Sequence, residues 1–234
     1  MAFLLKVAAW FADPLHWQGT PGVPNRLLEH VLMSAAATLT AAAIALPIGI
    51  ALGHFGRGGN IGMNISNVGR AIPSFAVLVL AFQVVGIGAR PAFVALTLLA
   101  IPPMVTNSYV GVREVDADVK DAARGMGMRE RKILFAVELP LALPLIMAGI
   151  RTSAVQVVAT ATLAALVAWG GLGRYIIDGF AQQDYVQLFA GALLVAALAV
   201  VTELALGALE FMLVPRALRS SRAIPQAEPQ PKAA

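Results

Sequence analysis

The chain has no cysteine among its 234 residues. Disulfides, thiolate nucleophiles and cysteine-ligated metal sites are therefore excluded. Charge is scarce too. Only 13% of residues are Asp, Glu, Lys or Arg, about half the roughly 25% of a soluble domain. Three Trp and three Tyr, mostly near the ends of apolar runs, offer no evident aromatic cage for a cationic ligand. No GxxxxGK[ST] phosphate loop occurs. His16, His30 and His54 lack metal-ligand spacing and read as interfacial side chains. Ser74, Ser108 and Ser153 have no nearby His–Asp companions and read as helix-packing hydroxyls. Neither a catalytic constellation nor a metal site is expected.

What is abundant is uncharged apolar sequence. Residues 30–56, 71–89, 91–112, 152–173 and 185–202 contain no Asp, Glu, Lys or Arg. A bilayer core about 30 Å thick needs about 20 apolar residues as helix, and helix is the element that satisfies its own backbone there. Spans are expected near 31–53, 71–89, 92–111, 142–165 and 187–213. A soluble helical bundle would need more polar faces than remain. The fold expected is an all-α polytopic membrane protein of about five transmembrane helices.

The loops orient it. Twelve basic residues (Arg57, Arg70, six from Arg113 to Lys132, and Arg216, Arg219, Arg222 and Lys232) fall on one side of those spans. Four (Lys6, Arg26, Arg90 and Arg174) fall on the other. The positive-inside rule places the N-terminus outside and the C-terminus in the cytoplasm. The net charge of +4 is dispersed through these short loops and does not suggest nucleic acid. Residues 1–26 are expected to be an extracytoplasmic or interfacial segment. Their apolar run is interrupted by Lys6 and lacks a convincing signal-peptide cleavage site. Residues 216–234, rich in Pro, Gln and Ala, are expected to be a disordered cytoplasmic tail.

One charged island, DAARGMGMRERKILFAVELP at 121–140, stands out. Val119, Ala122, Ala123 and Met126 recur at i, i+3, i+4 and i+7, which places them on one small apolar helical face. Gly127 is a natural terminator, and a second helical pattern resumes through Ile133 and Val137. Pro140 is expected to close the stretch before the chain re-enters the membrane.

The island resembles the EAA loop of ABC-importer permeases, E-A-A-x3-G-x9-I-x-L-P. The matching residues are Asp121, Ala122, Ala123, Gly127, Val137, Leu139 and Pro140, with every spacing kept. Asp replaces the usual Glu and Val the usual Ile. The resemblance extends over residues 26 to 214 and is closest to the osmoprotectant branch, through LLEHV at 27–31, RAIPSFAVL at 70–78, IPPMVTNSYVGV at 101–112 and the stretch 147–176. A methionine-importer permease shares the core and loop but fits these motifs less well. Trp169 departs from the small residue usual before Gly170.

The resemblance implies a permease domain at 27–215 with a coupling loop at 113–140. It implies a separate cytoplasmic ATPase holding ATP and Mg, so that this chain binds no cofactor and is no enzyme. It also implies a second permease subunit, identical or paralogous, and an extracytoplasmic substrate-binding protein. Asp121, Ala122, Ala123, Gly127, Leu139 and Pro140 would form the ATPase-coupling element. Glycine betaine, choline or carnitine would be the cargo, and a bacterial cell membrane the location. Pro73, Ser74, Asn107, Arg151 and Glu203 are candidates for the translocation path or for helix interfaces, the last two because charges within spans need partners. An ion-coupled secondary carrier and a non-transporting membrane adaptor are the alternatives from other classes. The chain shows no internal repeat of the kind many carriers carry.

Overall fold

The structure is a computed structural model and describes residues 1–56, 64 and 72–214; the tail at 216–234, and Arg57 and Arg70, lie outside these. Every regular element among the described residues is helical. In chain order they are α1 (Ala2–Ala12), α2 (Val23–Phe55), α3 (Ser74–Val85), α4 (Ala89–Arg113), α5 (Ala117–Gly125), α6 (Glu130–Ile133), α7 (Leu139–Thr160), α8 (Gly173–Ala181) and α9 (Tyr185–Leu213). A 3-10 turn, Pro14–Trp17, follows α1, a wide helical turn at Leu134–Glu138 joins α6 to α7, and a 3-10 segment, Ala161–Val167, follows α7.

Among the described residues, four stretches are long and apolar enough to cross a membrane: Val23–Phe55, Ala89–Arg113, Glu130–Val167 and Tyr185–Leu213. The span expected at 71–89 differs. Its described helix is α3, of 12 residues, about 18 Å long at 1.5 Å per residue. Gly86 and Gly88, at φ +82 and +110, end it. The Gly88 N–H then donates to the Val167 carbonyl at 2.8 Å, pinning the turn against the 3-10 segment. Helix α2, the first of membrane length, is longer than expected and begins at Val23, inside the segment assigned to the N-terminus. Pro24 in its first turn has no helical donor to lose there.

Small residues build the core. Ala37, Ala41, Ala45, Gly49 and Gly53 form an unbroken i, i+4 ladder on α2, all buried. Such a stripe lets helix backbones approach closely. A Cβ on Gly49 would lie 2.0 Å from Ser108 Oγ and 2.7 Å from the Val105 carbonyl oxygen of α4. A Cβ on Gly53 would lie 2.8 Å from the Tyr109 carbonyl oxygen. The opposite side of α4 meets α7 in the same manner, Gly111 against Ala142 and Gly149 against Asn107 and Pro103. Helix α4 is thus the centre of an α2–α4–α7 sandwich. Ser108 donates back to the Met104 carbonyl at 2.6 Å, and Ser153 of α7 donates to the Ala100 carbonyl of α4 at 2.8 Å. The Ser153 hydroxyl thus joins two helices, whereas the Ser108 hydroxyl bonds within its own.

Helix α1 folds back onto α9, with Phe3 edge-on to Phe189 and Trp10 edge-on to Tyr175 of α8. His16 stacks on Trp10 and bonds its carbonyl at 2.8 Å, closing the N-terminal hairpin.

Candidate functional site

The EAA-like residues build a capped helix followed by a turn. Asp116 opens α5 by accepting the Asp118 N–H at 2.8 Å. The helix closes in a Schellman arrangement. Gly127 N–H donates to Arg124 O at 2.9 Å, and Met128 N–H donates to Ala123 O at 3.1 Å. This pairing needs a left-handed residue at its centre, and Gly127 has φ +80. The conformation, not crowding, demands glycine, because nothing lies within 4 Å of a Cβ there.

The small apolar face expected on α5 is divided. Ala123 is buried, at 2% exposure, whereas Val119, Ala122 and Met126 stay exposed, Met126 at 75%. The exposed part is a short unpartnered stripe. Asp121 lies off this stripe and is exposed, accepting from Arg124 Nη1 at 2.8 Å. Arg124 Nε also donates to Glu130 Oε1 at 2.9 Å, tying α5 to α6 across the glycine turn. At this exposure such pairs order the loop more than they stabilise the protein.

Pro140 does not interrupt the helix that leads into the membrane-length stretch. The helix runs through it, because the preceding turn is widened: Leu139 N–H reaches back five residues to the Leu134 carbonyl. A proline ring clashes with the carbonyl four residues before it, and a wide turn relieves that clash. Leu139 packs against the cluster of Val112, Ala142 and Ile146.

Sequence reasoning passed over the residue between Val137 and Leu139. Glu138 is 1% exposed. His54, at the end of α2, places Nδ1 2.5 Å from Glu138 Oε2. Lys120 of α5 places Nζ 4.0 Å from Glu138 Oε1. His30, also read as interfacial, is 1% exposed. Its Nε2 lies 2.9 Å from the Val158 carbonyl, and its Nδ1 accepts the Leu172 N–H at 3.3 Å. Beside it Glu29 accepts the Gly171 N–H at 2.7 Å and Arg26 Nη1 at 2.9 Å. The signal available in sequence was a charged or imidazole side chain at either end of a long apolar run.

The translocation candidates do not converge. Pro73 is exposed and caps α3. Ser74 lines a gap of about 10 Å³ between α3, α4 and the 3-10 segment, room for about one water. Asn107 bonds its own helix at the Pro103 carbonyl, 2.8 Å away, beneath Gly149. Arg151 and Glu203 do meet, with Nε 3.1 Å from Oε1. Arg151 Nη1 also reaches Glu210 Oε2 at 3.2 Å, so α7 is clamped to α9 above Gly207. Arg151→Gln should lower stability by about 2 kcal/mol, since two carboxylates lose their partner in an apolar setting. Glu203→Gln, which leaves Glu210 in place, should cost under about 1 kcal/mol. Thermal unfolding of the detergent-solubilised chain separates them, and equal losses would mean that the bridge is not shared.

A bundle of membrane-length apolar helices, with a capped and outward-facing loop helix at the end of the bundle where α2 finishes, defines a multi-pass membrane protein. Residues 44–217 match the binding-protein-dependent transport system inner membrane component family, and the chain belongs to it. It is the permease subunit of an ABC importer, a multi-pass protein of the bacterial inner membrane.

Its relatives include the carnitine transport permease protein OpuCB of Listeria monocytogenes, 39% identical over 83% of this chain and 89% of that protein. The choline transport system permease protein OpuBB of Bacillus subtilis is 35% identical, over 82% of this chain and 88% of its own length. Among solved structures, an inward-facing form of the MetNI methionine ABC transporter superposes with a TM-score of 0.70 at 24% identity, covering 87% of this chain and 99% of that one. That likeness is one of fold.

Proposed function

We propose that this chain carries osmoprotectants of the glycine betaine, choline and carnitine class across the cytoplasmic membrane, as part of an ATP-driven importer. The observation that carries the substrate class is its similarity, over more than four fifths of its length, to permeases named for carnitine and choline. Two permease subunits form the pathway, and a substrate-binding protein delivers cargo to the extracytoplasmic face, where the 166–186 region lies. A separate ATPase, which holds ATP and Mg, docks on α5. The stripe of Val119, Ala122 and Met126 supports this docking assignment, since three exposed apolar side chains on a polar loop gain by burial against a partner. Closure of the ATPase dimer then moves α5 and rocks the bundle between two states, a rigid-body switch.

Liposomes holding the permease, its ATPase subunit and its binding protein should accumulate radiolabelled glycine betaine, choline or carnitine only when ATP is present inside the docking-side compartment. Uptake by this chain alone would replace the reading with a secondary carrier, and methionine uptake would replace the cargo. Met126→Glu should weaken ATPase docking about tenfold, a loss of about 1.4 kcal/mol, measured by co-sedimentation with the liposomes. Unchanged docking would remove the stripe from the interface.

A further inference from the structure

Helix α2 is fastened at both ends through buried or half-buried polar side chains, and those fastenings lie on opposite ends of the molecule. At one end His54 holds Glu138, and Glu138 faces Lys120, the residue just before Asp121 of the coupling element. The Glu138 side chain is only 2% exposed. Glu130 of α6 faces the other nitrogen of His54 at 4.0 Å. One carboxylate therefore serves two elements at once. If α5 moves and Glu138 does not follow, a buried charge is left with half its partners, which the protein resists.

At the other end, Glu29 and His30 hold the backbone of the Gly170–Gly173 turn. Glu29 takes the Gly171 N–H and His30 the Leu172 N–H. Since His30 Nδ1 accepts, its Nε2 carries the hydrogen that Val158 receives. The turn itself is tight. A Cβ on Gly170 would lie 2.0 Å from Glu29 Oε2, and one on Gly173 would lie 2.2 Å from the Thr162 carbonyl oxygen. Between the two ends run 24 helical residues, about 36 Å at 1.5 Å each, locked to α4 by the Ala37–Gly53 ladder.

We propose that α2 is the mechanical link between the coupling loop and the Gly170–Gly173 turn, with Glu138 as its inner joint and Glu29 with His30 as its outer joint. The proposal rests on the importer reading above. Displacement of α5 by the ATPase is passed through Lys120 and Glu138 to His54, along α2, and into the backbone of the turn. By linkage the effect is reciprocal: a binding protein pressing on the turn acts on the ATPase through the same helix. Glu138, Glu29 and His30 are positioning residues in this scheme and touch no substrate.

The test uses the complete importer in liposomes, with glycine betaine-loaded binding protein added outside. The readout is the factor by which the loaded binding protein raises ATP hydrolysis, with ATPase retention checked by sedimentation. Glu138→Gln and Glu29→Gln should each lower that factor about fivefold, with the ATPase subunit still bound. The double variant should fall no further than the weaker single one, because one link has been cut twice. Lys120→Met tests the same joint with less risk to folding and should lower the factor as well. Full stimulation in the single variants, or losses that multiply to about twenty-fivefold in the double one, would overturn the link. Wild-type liposomes in which the binding protein never raises hydrolysis would overturn the importer reading, and the link with it.

Discussion

Gly127→Val is expected to lower ATP-driven uptake roughly thirtyfold while leaving membrane insertion intact. Position 127 holds φ +80 at the close of α5, a conformation that a β-branched residue adopts only under strain. That strain is about 1–3 kcal/mol, and a value near 2 corresponds to about thirtyfold. The chain escapes it by releasing the two closing bonds to Arg124 and Ala123, which frays the helix that carries Ala122 and Met126. Because no atom lies within 4 Å of a Cβ there, size does not set the effect. Gly127→Asn, which tolerates the left-handed region, should keep most of the activity although it is as large as many harmful substitutions. Uptake per unit of inserted protein measures the contrast. Equal activity in the Val and Asn variants would show that the cap does not hold the docking helix.

The contrast also shows which parts of this protein were legible beforehand. The EAA spacing is local: a cap, a turn and a glycine follow from residues within a few positions of one another, and the structure has a helix over Ala117–Gly125 with Gly127 at its close. Long apolar runs located the membrane-length helices for the same reason. The joints of α2 are long-range. Glu138 meets His54 across 84 positions and Gly171 meets Glu29 across 142, and no periodicity reports such a pairing. His30 and His54 therefore looked like bland span-end residues. Arg151 and Glu203 were recognised as charges needing partners, but not as each other's. The clue was present in the spacing of Glu203, Gly207 and Glu210, at i, i+4 and i+7 on one helical face. The short α3 was hidden by its composition, since residues 71–89 are uncharged throughout while two glycines end the helix at Val85.

Gly49→Val should destabilise the fold by at least about 3 kcal/mol, the upper part of the range for overpacking. Gly49 stands where the α2 ladder crosses α4, with a Cβ position 2.0 Å from Ser108 Oγ and 2.7 Å from the Val105 carbonyl oxygen. The hydroxyl has the freedom to rotate away, but the carbonyl belongs to the α4 backbone. Accommodation therefore means parting two helices along their shared length, which strips contacts from Ala45 and Gly53 as well. Ser108→Gly in the same chain removes only the nearer obstacle, so it should not restore stability. Gly207→Ala is the control. Its nearest neighbour would be Arg151 Nη1 at 3.6 Å, an ordinary contact, and the gain in helix propensity of about 0.5–1 kcal/mol should leave it at least as stable as the wild type. Thermal unfolding in detergent compares the three. A Gly49→Val chain within about 1 kcal/mol of wild type would mean that α2 and α4 slide or separate readily. A link that carries displacement along α2 would then have to act without α4, so this measurement bears on the mechanism as well as on the fold.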